Sequence, residues 1–361
     1  MNTNLECKYN DLFVFLSTEL NWHLSRIKFF GLMICALCQT QTVNFQKLAV
    51  CLDSTAKIAS NMRRIQRFFA EFEIDFDLVN RLIFKLLPEQ PPFKLSMDRT
   101  NWKFGVVHIN ILMLGVVYKG VAFPLIWKLL PKAGNSDTQE RIDLLNRYIY
   151  LFGKENITYL LADREFVGDE WFAYLIHEKI KFYIRIRENF DVHIPGKGRV
   201  KAFWLFNSLP LNTGLNYPKI VYLKGNLVYL SGMKTVGKGS KLEFVIIASF
   251  CFSYNALPKY KERWQIETLF KAIKTSGFNI EDTHLKNLDR INRMLVLVSI
   301  TFVWSYLTGI YRHENLERII IKKHGRRAHS FFAFGLALIT KTLCNCNIAL
   351  LVMCLKLLSC T

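Results

Sequence analysis

The stretch YKERWQIETLFKAIK, running from Tyr260 to Lys274, decides how the rest of the chain is read. Tyr260, Arg263, Glu267 and Lys274 are separated by steps of three, four and seven, and at 3.6 residues per turn a seven-residue step returns to within roughly 20°. One face of a helix spanning about Leu257 to Thr275 would then carry a phenol, a guanidinium, a carboxylate and an ammonium. Leu269, Phe270 and Ile273 are left to pack elsewhere around it. The plain alternative is a solvated amphipathic face whose Arg263–Glu267 pair is worth only a few tenths of a kcal/mol.

Two carboxylates upstream sharpen the choice. Val-, Ile-, Phe- and Leu-rich runs at Lys94–Asp98, Phe104–Tyr118 and Val121–Leu130 read as a meander of strands, with polar breaks at Asn101 and Lys119-Gly120. A helix over Thr138–Tyr150, a strand over Ile157–Ala162, a helix over Asp169–Lys179 and a strand over Lys181–Ile186 follow. Asp98 closes the first strand and Asp163 the fourth. A single Asp at a strand end is ordinarily a turn residue or a helix cap. Two at neighbouring strand ends repel each other unless a cation lies between them.

Pro88, Pro91 and Pro92 mark a boundary ahead of this region. After it, residues 189–250 read as a small β-rich insertion, notably Leu227–Leu230 and Phe244–Ile247, and the chain from Asn287 on is mainly helical. The expected organisation is a helical region over 1–90 and a core over 91–188 and 251–285. The insertion over 189–250 and a helical C-terminal region over 286–361 complete it.

The Tyr-Arg-Glu-Lys spacing, with Trp264 directly after the arginine, resembles the signature of the insertion-sequence family-four transposases, a branch of the DDE recombinases. Asp98 in Ser96-Met97-Asp98-Arg99-Thr100-Asn101-Trp102 is similar to that family's first aspartate, and Asp163 in Ala162-Asp163-Arg164-Glu165-Phe166 to its second. The resemblance covers about residues 93–285. It implies an α/β, ribonuclease-H-like mixed sheet flanked by helices, interrupted by the β-rich insertion, with Asp98, Asp163 and Glu267 as catalytic residues. It further implies cleavage of transposon ends to free a 3′-hydroxyl, a hairpin intermediate, and joining of that hydroxyl to target DNA.

Such chemistry needs the attacking and leaving oxygens clamped, a task suited to two divalent cations held by carboxylates. Asp98, Asp163 and Glu267 are the expected ligands, and an all-oxygen set suits Mg²⁺, with Mn²⁺ as a substitute. No His or Cys stands in these motifs, which argues against zinc. Arg263 as a fork and Lys274 as a point charge suit phosphates, and the Tyr260 hydroxyl suits a phosphate oxygen. Trp204, in the insertion, is a candidate for stacking a displaced base, against the alternative of a core tryptophan; Trp264 is expected to pack beside the active helix.

Composition agrees with a DNA partner. With 48 Lys and Arg against 29 Asp and Glu, the 361 residues carry a formal +19, which points to a polyanion. Residues 1–90 hold ten basic and nine acidic residues, whereas 181–260 hold twelve and three, the densest positive field in the chain. In the first region apolar residues recur at helical spacing through Leu12–Leu20, Ile27–Cys38 and Phe45–Leu52. Asp53-Ser54-Thr55 then offers turn or cap chemistry before a helix over Ala56–Phe69. Its basic face, Arg63, Arg64 and Arg67, suits the reading helix of a helix-turn-helix as well as it suits a plain bundle with a solvated face. The Lys322–Arg327 cluster is open between a DNA contact, a partner contact and a basic loop.

Nine cysteines in no even framework, and no leader-like opening, read as reduced thiols of a cytoplasmic, nucleoid-associated protein. Cys344, Cys346, Cys354 and Cys360 match no common zinc spacing. The apolar run Met294–Tyr311 only just reaches spanning length and is interrupted by Ser299, Thr301, Ser305, Thr308 and Gly309, so it reads as a buried helix; the run from Ile348 is broken by Lys356. Concerted cutting of two ends requires at least two active sites, hence a homodimer on DNA. The rival readings are a catalytically silent DNA-binding regulator and a metal-dependent nuclease that never joins. A basic membrane-associated protein is more remote.

Overall fold

Five helices open the chain: α1 (Thr3–Glu19), α2 (Leu24–Thr40), α3 (Phe45–Cys51), α4 (Ile58–Glu71) and α5 (Phe76–Lys85). Strands β1 (Phe93–Phe104), β2 (Val107–Tyr118) and β3 (Val121–Leu130) follow, then α6 (Thr138–Phe152), β4 (Ile157–Ala162), α7 (Asp169–His177) and β5 (Phe182–Ile186). Six strands come next: β6 (Asp191–Ile194), β7 (Gly198–Lys201), β8 (Gly214–Asn216), β9 (Val221–Leu223), β10 (Asn226–Val236) and β11 (Leu242–Ser249). Helices α8 (Ala256–Lys261), α9 (Trp264–Lys274), α10 (Leu288–Tyr311), α11 (Phe331–Cys344) and α12 (Ile348–Lys356) complete the protein. This computed structural model describes residues 3–358 other than 324 and 346.

The strands form one mixed sheet in the order β3-β2-β1-β4-β5-β11-β10-β9-β6-β7, with β8 on β10. β1 and β4 run parallel, as do β4 and β5, while β2 and β3 are antiparallel. An antiparallel trio followed by two parallel strands, flanked by helices, is the ribonuclease-H-like arrangement. Near-continuous apolar runs such as Ile109–Val117 are buried because helices cover the sheet. A capping box between Asp137 and Glu140 starts α6, a device worth about 1 kcal/mol.

Several expected boundaries move. β1 does not break at Asn101 but continues to Phe104, and the hairpin turns at Gly105-Val106, where Gly105 has φ +60°, the left-handed geometry such turns require. Asp98 therefore lies within β1, one residue past Met97, the last that pairs with β4. The single helix expected from Leu257 to Thr275 is two, α8 and α9, with a tight turn at Glu262-Arg263. The amide of Glu262 donates to the Lys259 carbonyl and that of Arg263 to the Tyr260 carbonyl, which overwinds the chain there.

Two compact units divide the chain: Gln90–Asn101 with Asn110–Leu269, and Met1–Glu89 with Trp102–Ile109 and Phe270–Thr361. In the first, the β-rich stretch does not stand apart from the core sheet, because β11 pairs with β5 and β10 with β11. In the second, N-terminal and C-terminal helices share one core. Phe30, Phe68 and Phe72 pack around Trp22, and α10 is buried against α2, α4, α5 and α11.

Among the described residues one helical run, Leu288–Leu316, is long and apolar enough to cross a membrane, and 83% of its most apolar window is buried within the protein. At its crossing with α11 a Cβ on Gly309 would meet the Phe331 carbonyl oxygen at 1.8 Å, and one on Gly335 the Ser305 carbonyl oxygen at 1.9 Å. The Trp304 indole donates to the Cys354 carbonyl at 2.7 Å, which joins α12 to the same core. Cys346 and Cys360, part of the cysteine group weighed as a metal box, lie outside the described residues.

Candidate active site

Parallel registry brings the two aspartates together. Met97 of β1 pairs with Ala162 of β4, so Asp98 and Asp163 each stand one residue beyond the same rung, about 4.8 Å apart along the sheet. Their carboxylates turn back onto the following amides, Asp98 Oδ1 accepting from Arg99 N at 2.7 Å and Asp163 Oδ1 from Arg164 N at 2.6 Å. Burial pushes the Asp98 carboxyl up to about 7; Arg263 and the Arg99 amide act against the shift, and Glu165 and Asp163 add to it.

The α8–α9 turn places Arg263 over this pair. The turn is tied down by Lys94 Nζ of β1 on the Glu262 carboxylate at 2.9 Å, and by the Gly120 amide donating to Gln265 Oε1 at 3.0 Å. Lys259 Nζ donates to the Tyr183 hydroxyl at 2.9 Å. Arg263, almost fully buried, donates from Nη1 to Asp98 Oδ2 at 3.1 Å, from Nη2 to Glu267 Oε1 at 2.6 Å, and from Nε to the Tyr260 hydroxyl at 3.1 Å. The Tyr260 hydroxyl in turn donates to Asp163 Oδ1 over a long 3.4 Å. Burial pushes the Tyr260 phenol up to about 12, against the lowering pull of Arg263. Burial also opposes the charge on Arg263, yet Tyr260, Asp163, Asp98 and Glu267 together hold it above the ordinary guanidinium range.

Asp98, Asp163, Glu267, Tyr260 and Arg263 are thus one connected cluster. The three carboxylates do not close on a common point: among the described residues no three His, Cys, Asp or Glu side chains are grouped tightly enough to hold an ion. Arg263 supplies the positive charge between them instead. By donor type and charge the set fits a hard divalent cation, since every donor is a carboxylate oxygen and Asp98 is desolvated among acids. Ligation by all three would require Arg263 to release at least one of its bonds.

The other expected residues lie elsewhere. Lys274 is grouped with the helical unit, where its Nζ pairs with Glu281 Oε1 at 2.8 Å and lies 5.4 Å from the Trp102 ring. Trp204 is 62% exposed and stacks on Phe203, so it is no core tryptophan; Trp264 is 63% exposed rather than packed away. On α4, Arg63 and Arg67 are exposed and line a groove of about 680 Å³ with Gln46, Gln66 and Arg290. Arg64 departs from that face and lies 4.5 Å over the Phe29 ring. Asp53-Ser54-Thr55 forms a turn, with Ser54 Oγ accepting from the Ala56 amide, and α4 starts later, at Ile58.

A supporting network was not visible in the sequence. Arg99 donates to both oxygens of Glu165 at 3.3 Å, to Asn110 Oδ1 at 3.0 Å and to Asn135 Oδ1 at 3.1 Å. Buried Asn110 donates to the Lys132 and Gly134 carbonyls at 3.1 and 3.0 Å. Arg141 Nη2 holds the Glu165 carbonyl at 3.1 Å. The residues after Asp98 and Asp163 are therefore clamped to each other. The one sequence signal was a polar Asn inside the apolar run Val107–Tyr118.

Residues 93–304, more than half of the chain, match the family model described as Transposase DDE domain. The chain has no significant match among curated proteins. It is similar to a solved structure described as the cryo-EM structure of a piggyBac transposase synaptic complex with hairpin DNA. That similarity covers 95% of this chain and 80% of that one, at 12% identity and a TM-score of 0.45.

Proposed function

The chain belongs to the transposase DDE-domain family, and from that premise we propose that it cuts the ends of a mobile element and joins the freed 3′-hydroxyl to target DNA, as a member of the insertion-sequence family-four branch. The observation that carries this reading is the single guanidinium bonded to both Asp98 and Glu267, with Asp163 linked to it through Tyr260. Carboxylates from β1 and α9 thus share one guanidinium, and the carboxylate at the end of β4 reaches it through the Tyr260 hydroxyl.

Asp98, Asp163 and Glu267 would hold the divalent cations, Mg²⁺ or Mn²⁺, and a bound pair would supply activation of the attacking oxygen and stabilisation of the leaving one. Arg263, on leaving a carboxylate, is placed to hold a phosphate oxygen with its fork. Tyr260 presents a hydroxyl that burial keeps protonated and able to donate. The exposed Trp204 ring is available to stack an unpaired base, which suits a hairpin intermediate. Arg63 and Arg67 on α4, with Lys274 at the end of α9, supply cations for the DNA backbone, and two copies act together on the paired ends in the cytoplasm.

The test is a cleavage and joining assay in Mg²⁺ on DNA carrying the inverted repeats that flank the coding region, with Glu267→Gln as control. Joined products from the wild type alone are expected. Repeat-specific binding without cleavage in Mg²⁺ or Mn²⁺ would replace this reading with a silent regulator, and cut ends that are never joined would replace it with a nuclease.

A further inference from the structure

The rung that sets Asp98 beside Asp163 continues one strand further. Ala162 of β4 pairs with Ile184 of β5, so Arg185 stands one residue past the same rung, next in the row after the two aspartates. Its Nε is buried without a hydrogen-bond partner, and its Nη2 makes only a long 3.4 Å bond to the Phe244 carbonyl. A buried guanidinium donor left unmatched is uncommon, because the group loses water and gains nothing in return.

Arg185 opens into a polar groove of about 530 Å³ that is also lined by Arg164, Arg187 and Lys241. None of these four cations forms an ion pair among the described residues. The acids in the lining are Glu188 and Glu243, and Glu188 is engaged, its Oε2 accepting from the Phe244 amide at 3.0 Å. Arg164 directly follows Asp163, so the groove begins where the carboxylates end. Spare guanidinium donors in a positive, open trough suit phosphate oxygens.

We propose that Arg185, with Arg164, Arg187 and Lys241, forms a phosphate-binding groove that seats a DNA strand on the Asp163 side of the carboxylates. This rests on the reading of the chain as a DNA-cutting enzyme and adds the path of the strand to it. Arg185 fixes one backbone phosphate, and the three exposed cations follow the strand outward. Arg185 is a positioning residue: it sets where the strand lies relative to Asp98 and Asp163.

The experiment measures binding of the full chain to a duplex bearing the flanking inverted repeat across a salt series, without divalent ions. Each backbone phosphate is replaced in turn by an uncharged methylphosphonate. Arg185→Gln is expected to weaken binding about tenfold and to reduce the slope of log K against log salt by about one. Arg185→Lys is expected to keep the slope. One methylphosphonate position is expected to penalise the wild type and leave Arg185→Gln unaffected. An unchanged slope in Arg185→Gln, or identical methylphosphonate profiles, would overturn the groove. Should Arg185→Gln fail to fold, the exposed Arg187→Gln carries the same measurements and the same expectations. A wild type that cuts and joins while these variants bind like it would sink the groove alone. A wild type that binds with an Arg185-dependent slope yet never cuts would keep the groove and sink the catalytic reading.

Discussion

Arg263 Nη1 lies 3.1 Å from Asp98 Oδ2, joining residues 165 positions apart in the chain, and the other arm of the same guanidinium holds Glu267. With a side chain only 6% exposed, Arg263 neutralises acids that would otherwise repel each other in a largely desolvated site.

Removing that charge should therefore expose the cluster's dependence on cations. Arg263→Met is expected to lower stability by about 1–3 kcal/mol, below the range for a fully buried pair because Glu267 is 38% exposed. Added Mg²⁺ should raise the melting temperature of Arg263→Met more than that of the wild type. Equal shifts in a thermal scan would show that Arg263 and the cation do not share the acids.

On the proposed metal-binding role, Asp98→Asn, Asp163→Asn and Glu267→Gln should each reduce strand cleavage by about a thousandfold or more, since loss of a ligand would forfeit several kcal/mol of transition-state stabilisation. DNA affinity without divalent ions should stay within a few fold of wild type. Any one of the three cutting at the wild-type rate on a denaturing gel would remove that residue from the site. Chelation of divalent ions should stop cleavage by the wild type, and Mg²⁺ or Mn²⁺ should restore it.

Asn110 tests the clamp behind the aspartates. Asn110→Leu leaves the Lys132 and Gly134 carbonyls and one arm of Arg99 unmatched, at a cost of about 1–3 kcal/mol. Chemical denaturation should register that loss. Cleavage should slow more than DNA binding weakens, because the Arg99–Glu165 link between β1 and the segment after Asp163 loosens. Equal losses in binding and rate would reduce Asn110 to a structural role.

The α10–α11 crossing tolerates no side chain. Gly309→Ala or Gly335→Ala would force backbones apart that now nearly touch, with a loss of about 3 kcal/mol or more. A melting temperature within a degree or two of wild type for either would contradict the packing described.

Much of the fold was readable because strands and helices here follow their periodicities: β3, β4, α6 and β5 begin and end within a few residues of the expected positions. Asp98 and Asp163 were legible as neighbours because each follows an apolar strand-like run, although β1 continues past Asp98 to Phe104 and it is the parallel register of Met97 with Ala162 that sets them side by side. The α8–α9 break was not, because Lys261-Glu262-Arg263 contains no glycine or proline; the turn is held by tertiary bonds from Lys94 and Gly120 that no local pattern encodes. Nor could spacing show that Arg64 covers Phe29 while Arg63 and Arg67 face outward, since three cations within five residues look alike on a helical wheel. The exposure of Trp204 and the addition of β10 and β11 to the sheet depend on long-range strand pairing, which alternation alone leaves open.

The helical unit is assembled from both ends of the chain, with α2 packed on α10 and α11, and α1 on α12. On a ribosome adding about 5–20 residues per second, the apolar faces of α1 and α2 wait on the order of 10 to 50 seconds for their partners to be made. During that interval Phe30, Met33, Ile34 and Leu37, all fully buried at the end, are open to chaperones or to aggregation. A copy of the gene cut short before α10 would yield a polypeptide that cannot complete its first domain, and such a product is expected to be cleared rather than to compete with intact protein for DNA.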